Sequence, residues 1–227
     1  MNFDPSRVQA LIFDVDGTLR DTDDELVNRV AGLLKPIQRW LPFQNPRHTA
    51  RRIVMHIEDP AQIMLYIPDR LGIDRYTFAL VTHIRRLIWH TKPKHDYRVI
   101  AGVKFMLEQL AGRYPLAVAS AGPQESVHAF LETTGLHGYF QCVASALTCH
   151  YTKPYPDPLW WCANRLHVAS QHCVMIGDTT VDMRAGQAAG MQTIGVLCGF
   201  GEHDELERSG ASLITGSTAN VRALLST

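Results

Sequence analysis

Apolar residues along the chain follow two rhythms. Short unbroken runs, "ALIFDVD" at 10–16, "LAVASAG" at 116–122, "CVMIGD" at 173–178 and "TIGVLCG" at 193–199, each end in Gly or Asp. A continuous apolar run is buried on both faces, as a strand inside a parallel sheet is. "FQCVASAL" at 140–147 is a fainter member of the series. Between the runs, "GVKFMLEQLAGR", "PQESVHAFLETTG", "DPLWWCANRLHV" and "DMRAGQAAG" repeat their apolar positions every three or four residues and predict helices. Strand and helix in alternation predict an α/β fold, a parallel sheet covered by helices on both faces. Between about residues 20 and 98 the alternation stops. "DELVNRVAGLLKPIQRWL" and "TFALVTHIRRLIWH" keep the helical period and no strand run interrupts them, which predicts an inserted helical domain. Its flanks, "LRDT" and "KPKHDYRVIAG", carry the polar residues, Pro and Gly of hinges.

Composition narrows the class. With 227 residues, 46% of them hydrophobic and 19% charged, the chain can bury a large core and suits one large domain with an appendage. No run reaches the roughly 20 apolar residues that span a bilayer. "MNFDPSRVQ" lacks the basic and apolar regions of a signal peptide, so a cytoplasmic location and no membrane partner are expected. Cys142, Cys149, Cys162, Cys173 and Cys198 are odd in number and contain no C-x-x-C pair, which argues against a disulfide framework or a zinc knuckle. A formal net charge of zero conceals an uneven distribution: residues 35–98 hold 12 Lys or Arg against 5 Asp or Glu, leaving 10 against 17 elsewhere. No nucleic-acid motif accompanies the basic segment, so a small anionic substrate is the better reading beside a plain solvated surface.

The acidic residues are where chemistry collects. In parallel sheets ligands gather at the carboxyl ends of strands, where Asp14, Ser120 and Asp178 fall. Asp14 and Asp16 face the same side if the strand persists that far. "GDTTVDM" adds Asp178 and Asp182, the latter one helical turn further on. Four clustered carboxylates repel one another unless a cation lies among them or some hold protons. An all-oxygen donor set favours a hard ion, Mg2+ where a phosphate shares the site. Asp23, Asp24 and Glu25 have a different use: Thr22 and Glu25 fit a capping box, with the acids in a first helical turn.

"DVDGTL", "VASAG", "TKPYPDP" and "GDTTVDM", in this order, closely resemble the four motifs of the haloacid dehalogenase superfamily, over residues 8 to about 215. The branch it resembles is that of phosphoglycolate phosphatase and β-phosphoglucomutase, with an α-helical cap. The resemblance implies a Rossmann-like three-layer core at 1–19 and 99–227, a cap at 20–98, and Mg2+-dependent hydrolysis of a small phosphomonoester such as phosphoglycolate or a sugar phosphate. It implies Asp14 as the nucleophile that forms an aspartyl-phosphate. Asp16 is then the general acid and base, with its carbonyl on the metal. Thr18, Ser120 and the backbone N–H groups from Ala121 onward would bind phosphoryl oxygens, and Lys153 would neutralise charge on the nucleophile. Asp178 becomes a metal ligand and Asp182 a ligand or a partner that fixes Lys153.

An acid at position 16 favours a phosphomonoester over a halide, because an alkoxide leaving group needs a proton and a halide does not. Ala121 stands where the family often has Asn, which removes a side-chain contact and keeps the backbone donor. Taken singly, Ser120 reads as a turn serine and Lys153 as a solvated loop residue; the order of the motifs reverses that weighting. Gly186 and Gly190 read as helix-packing and terminating glycines, and no nucleotide-binding glycine motif is present. The histidines show no metal-ligand spacing, and Trp160 and Trp161 read as packing residues. A phosphomutase of the β-phosphoglucomutase kind is the alternative enzyme, and a non-catalytic binding or scaffold module the alternative of another class. Either a monomer or a homodimer suits these expectations.

Overall fold

A computed structural model of the protein describes residues 3–21, Gly32, Lys35 and 97–225. The chain divides into two compact units, Met1–Leu26 with Tyr97–Thr227, and Val27–Asp96. The predicted cap at 20–98 and the capping box at Thr22 lie almost wholly outside the described residues.

In chain order the first unit contains β1 (Ala10–Phe13), α1 (Val103–Ala111), β2 (Leu116–Ala119), α2 (Gln124–Thr133), β3 (Cys142–Ala144) and α3 (Asp157–Arg165). There follow β4 (Cys173–Gly177), α4 (Thr180–Ala188), β5 (Gln192–Val196), α5 (His203–Arg208), β6 (Leu213–Thr215) and α6 (Val221–Leu224). The six strands form one parallel sheet in the order β3-β2-β1-β4-β5-β6. This is the α/β architecture that the alternation predicts and the Rossmann-like core that the resemblance implies.

Strand alternation sends neighbouring residues of each run into different cores. Leu11, Phe13, Leu116, Val118, Val174 and Ile176 pack with Met106, Leu107 and Leu110 of α1 and with Phe130 of α2. Ala10, Ile12, Ala117, Ala119 and Met175 face Leu159 and Cys162 of α3 and Ala185 of α4. Each large side chain buried in this way contributes about 1.5–3 kcal/mol, so these two layers hold the sheet in place. The second face is rich in small residues and its helices sit close. A Cβ on Gly186 of α4 would stand 2.3 Å from Thr193 Cγ2 of β5, which gives that glycine the packing role expected of it.

The strand order places a crevice beside β1. The chain leaves β1 for β2 and β3 on one side, then returns to β4 on the other, so β1 and β4 flank the point where the winding reverses. Ligands bind outside the carboxyl ends of strands at such a point. Phe13 pairs with Ile176, which brings Asp14 level with Gly177 and sets Asp178 one residue further along. β6 was not foreseen in the apolar pattern, and β1 is shorter than its apolar run.

Candidate active site

The β1 ladder ends where the Asp14 N–H donates to the Ile176 carbonyl at 2.9 Å. The chain then winds tightly. The Val15 carbonyl accepts from the N–H groups of Thr18 at 3.3 Å, Leu19 at 2.9 Å and Arg20 at 2.8 Å, while the Gly17 N–H donates to the Arg20 carbonyl at 2.9 Å. Gly17 adopts φ 79°, a left-handed conformation costly for any side chain with a Cβ. The expectation that the strand continues to Asp16 is therefore corrected: Asp14 and Asp16 do not share a strand face, because the loop turns between them.

Lys153, from the loop between β3 and α3, reaches into the crevice and is 2% exposed, an unusual depth for a lysine. Its Nζ donates to Asp14 Oδ1 and to Asp182 Oδ1, both at 2.6 Å. Asp182 is held from the other side by the start of α4. Thr179 caps that helix, and Asp182 Oδ2 accepts from the Thr179 N–H at 3.1 Å and from Thr179 Oγ1 at 2.7 Å. With both oxygens engaged in this way, Asp182 is suited to fixing Lys153. Asp178 is buried at the end of β4; its Oδ1 accepts from Thr18 Oγ1 at 3.1 Å and its Oδ2 from the Phe200 N–H at 2.7 Å.

Asp14, Asp178 and Asp182 can each offer a carboxylate oxygen within 4.8 Å of the others, and all three are buried. Burial pushes the Asp14 carboxyl up to about 7, helped by the negative charges of Asp182 and Asp16 and opposed by Lys153. Burial works against the charge of Lys153 too, but Asp14 and Asp182 outweigh it and hold the ammonium above the ordinary lysine range. The Lys153 ammonium meets two of the three buried carboxylates, Asp14 and Asp182, which leaves an excess of negative charge on an all-oxygen donor set. A hard divalent cation fits that surplus.

Two glycines leave space beside Asp178. A Cβ on Gly17 would lie 2.2 Å from Asp178 Oδ2, and one on Gly199 would lie 2.1 Å from the same oxygen and 2.6 Å from the Gly17 carbonyl oxygen. Gly199→Ala must therefore displace Asp178. The expected outcome is a folded protein destabilised by about 1–3 kcal/mol, the usual cost of overpacking, that needs far more divalent cation for half-maximal activity. Titration of activity against Mg2+ checks it, and an unchanged requirement would separate Asp178 from the metal site.

The structure brings Asp14, Lys153, Asp178 and Asp182 together, as the spacing of the motifs requires. Thr18, expected against the phosphoryl group, donates its hydroxyl hydrogen bond to Asp178. Ser120 is buried at the end of β2, and its Oγ accepts from the Gly122 N–H at 3.0 Å, so one backbone donor of that loop is engaged; Ala121 lies half-buried between them. Asp16 turns its carboxylate to Arg20 and takes no part in the buried carboxylate group. Sequence reasoning missed Thr179, Arg20 and the Phe200 N–H. Only the first left a recognisable trace, in the T-x-x-D spacing of Thr179 and Asp182.

Fold and site together describe a hydrolase built on a parallel sheet with its acidic centre at the strand-order reversal. Residues 11–196 match the haloacid dehalogenase-like hydrolase family, and the chain belongs to it. It is 31% identical over 212 residues to "Probable phosphatase IndB" of Dickeya dadantii, with 93% of this chain and 90% of the relative covered. It is 24% identical over 208 residues to a phosphoglycolate phosphatase of Colwellia psychrerythraea, covering 89% and 90% of the two chains. A hydrolase structure from Pseudomonas syringae shares the fold at a TM-score of 0.70 and 23% identity, across 95% of this chain and 97% of the other.

Proposed function

We propose that this protein is a Mg2+-dependent phosphatase that hydrolyses a small phosphomonoester, phosphoglycolate or a sugar phosphate, through an aspartyl-phosphate on Asp14. The observation that carries the reading is the buried Asp14 carboxylate, aligned by Lys153 at 2.6 Å, beside Asp178 and Asp182 at the crevice between β1 and β4. Relatives named as phosphatases support the reaction class.

Asp14 attacks phosphorus as the ester P–O bond breaks, and Asp16 gives a proton to the departing oxygen, releasing an alcohol. Asp16 then takes a proton from water as the water oxygen attacks phosphorus; phosphate leaves and Asp14 is restored. Lys153 keeps the Asp14 carboxylate oriented, and Ser120 and its loop present donors toward phosphoryl oxygens. Mg2+, held by Asp14, Asp178 and the Asp16 carbonyl with Asp182 close by, would offset the charge of nucleophile and phosphate. Residues 20–98 are proposed as a helical cap, and substrate choice lies with their side chains. Five free cysteines and the absence, among the described residues, of a helix long and apolar enough to cross a membrane are compatible with the cytoplasm as the working compartment.

Phosphate release from p-nitrophenyl phosphate and a panel of alkyl phosphomonoesters is expected with Mg2+ and is expected to fall by about 100-fold or more when EDTA removes the ion. Undiminished turnover in EDTA would exclude the metal-dependent reading. Sugar-phosphate interconversion outrunning phosphate release would point to the mutase.

A further inference from the structure

Arg20 stands outside the motif residues, yet the fold builds a socket for it. The Val15 carbonyl clamp winds residues 15–20 so that Arg20 returns to Asp16, and Arg20 also bridges to Val99 on the returning chain. Its guanidinium carbon lies 5.6 Å from the ring centre of Phe130 and 5.9 Å from that of Tyr97, two rings that meet edge to face at 5.9 Å. Nη1 donates to Ser126 Oγ at 3.5 Å, and Nη2 forms an ion pair with Asp16 Oδ1. An aromatic cradle of this kind restrains a guanidinium that would otherwise sample many rotamers.

The contact with Asp16 is one-sided. Arg20 meets Asp16 Oδ1 through Nη2, and its Nε is buried without a hydrogen-bond partner. Asp16 Oδ2 points elsewhere, lying 3.7 Å from where a Cβ on Gly122 would stand, in the loop of Ser120. One oxygen is therefore fixed against Arg20 while the other faces the loop that receives the phosphoryl group.

We infer that Arg20 is a positioning residue for Asp16: it fixes the Oδ1 edge of the carboxylate and so aims Oδ2 at the leaving oxygen of the substrate. This rests on the phosphatase reading above. Arg20 touches no reacting atom. It acts by setting the direction of the group that delivers the proton, and misdirection by about 1 Å can cost on the order of 100-fold in rate.

A general acid matters most when the leaving oxygen is strongly basic, and that dependence separates aim from general damage. The kcat/KM of wild type, Arg20→Met and Arg20→Lys should be measured on p-nitrophenyl phosphate, whose leaving group needs little protonation, and on the best alkyl phosphomonoester of the panel. Arg20→Met is expected to lose about 10- to 100-fold on the alkyl ester and no more than about 3-fold on the nitrophenyl ester. Arg20→Lys, which keeps the charge, is expected to recover part of the alkyl-ester loss. Melting curves identify a variant that fails to fold; should Arg20→Met do so, the same substrate ratio in Arg20→Lys decides. Equal losses on both esters, no loss, or a gain would overturn the role of Arg20. Wild type inert toward the whole panel would instead overturn the phosphatase reading.

Discussion

Asp14→Asn is expected to lower phosphate release by about 10,000-fold or more, about 5.5 kcal/mol of barrier at ~1.4 kcal/mol per tenfold. The substitution preserves shape and removes the anionic oxygen that attacks phosphorus, so no covalent intermediate can form by that route. The fold has little reason to suffer. The strand contact of Asp14 is made by its backbone N–H to Ile176, and Lys153 retains its second partner in Asp182. The cost of a buried charge beside other acids, which pushes the Asp14 carboxyl up to about 7, also disappears, so stability in EDTA should equal or exceed that of the wild type near neutral pH. Loss of turnover with retained stability is thus the signature of a nucleophile. Activity within about tenfold of the wild type would assign the chemistry to another residue.

The parts of this architecture that show in the sequence are those buried on both faces. β1, β2 and β4 lie in mid-sheet with every residue buried, and burial on both sides writes an uninterrupted apolar run. β6 occupies an edge, spans three half-buried residues, and has too little apolar surface to leave such a run. The opposite error occurs at β1. "ALIFDVD" reads as one strand because Val15 is apolar, but Val15 is buried in the loop, where its carbonyl collects three N–H groups. Hydrophobicity reports burial and cannot by itself tell a strand from a buried turn.

The candidate site divides in the same way. Asp14 and Asp178 follow directly from strand ends and topology, since the register of β1 against β4 makes them neighbours. Partnerships set by side-chain direction were not legible. Thr18 could face a phosphate or a carboxylate, and a hydroxyl donating to Asp178 has the same sequence as one donating to a ligand. A lysine before proline gives no hint of its burial either, which results from how the loop before α3 folds into the crevice. Arg20 reads as a hinge residue until Tyr97 and Phe130, far away in sequence, close around it.

Lys153→Met should be the most destabilising of the site substitutions. The lysine is a single buried cation between two buried carboxylates, and the exchange keeps its length while removing the charge. Breaking a buried ion pair from one side costs about 3–5 kcal/mol, because the remaining charge has lost its partner. Urea unfolding in EDTA is expected to show a loss of that size. Mg2+ at about 100 times its dissociation constant can return about 2.7 kcal/mol by binding only the folded form. The loss should also depend on pH. The folded Asp14 pKa, about 7, lies above its ordinary value of 3.8, so folding favours the protonated carboxyl; that contribution is fully present below the ordinary value and lost as pH rises through about 7. Lys153 pulls this pKa down, so its removal shifts the loss upward and lets Asp14 shed its charge more readily in acid. The variant should therefore be nearer the wild type at about pH 5 than at about pH 8. Equal stability of the two proteins in EDTA at the higher pH would show that Lys153 does not balance the buried acids.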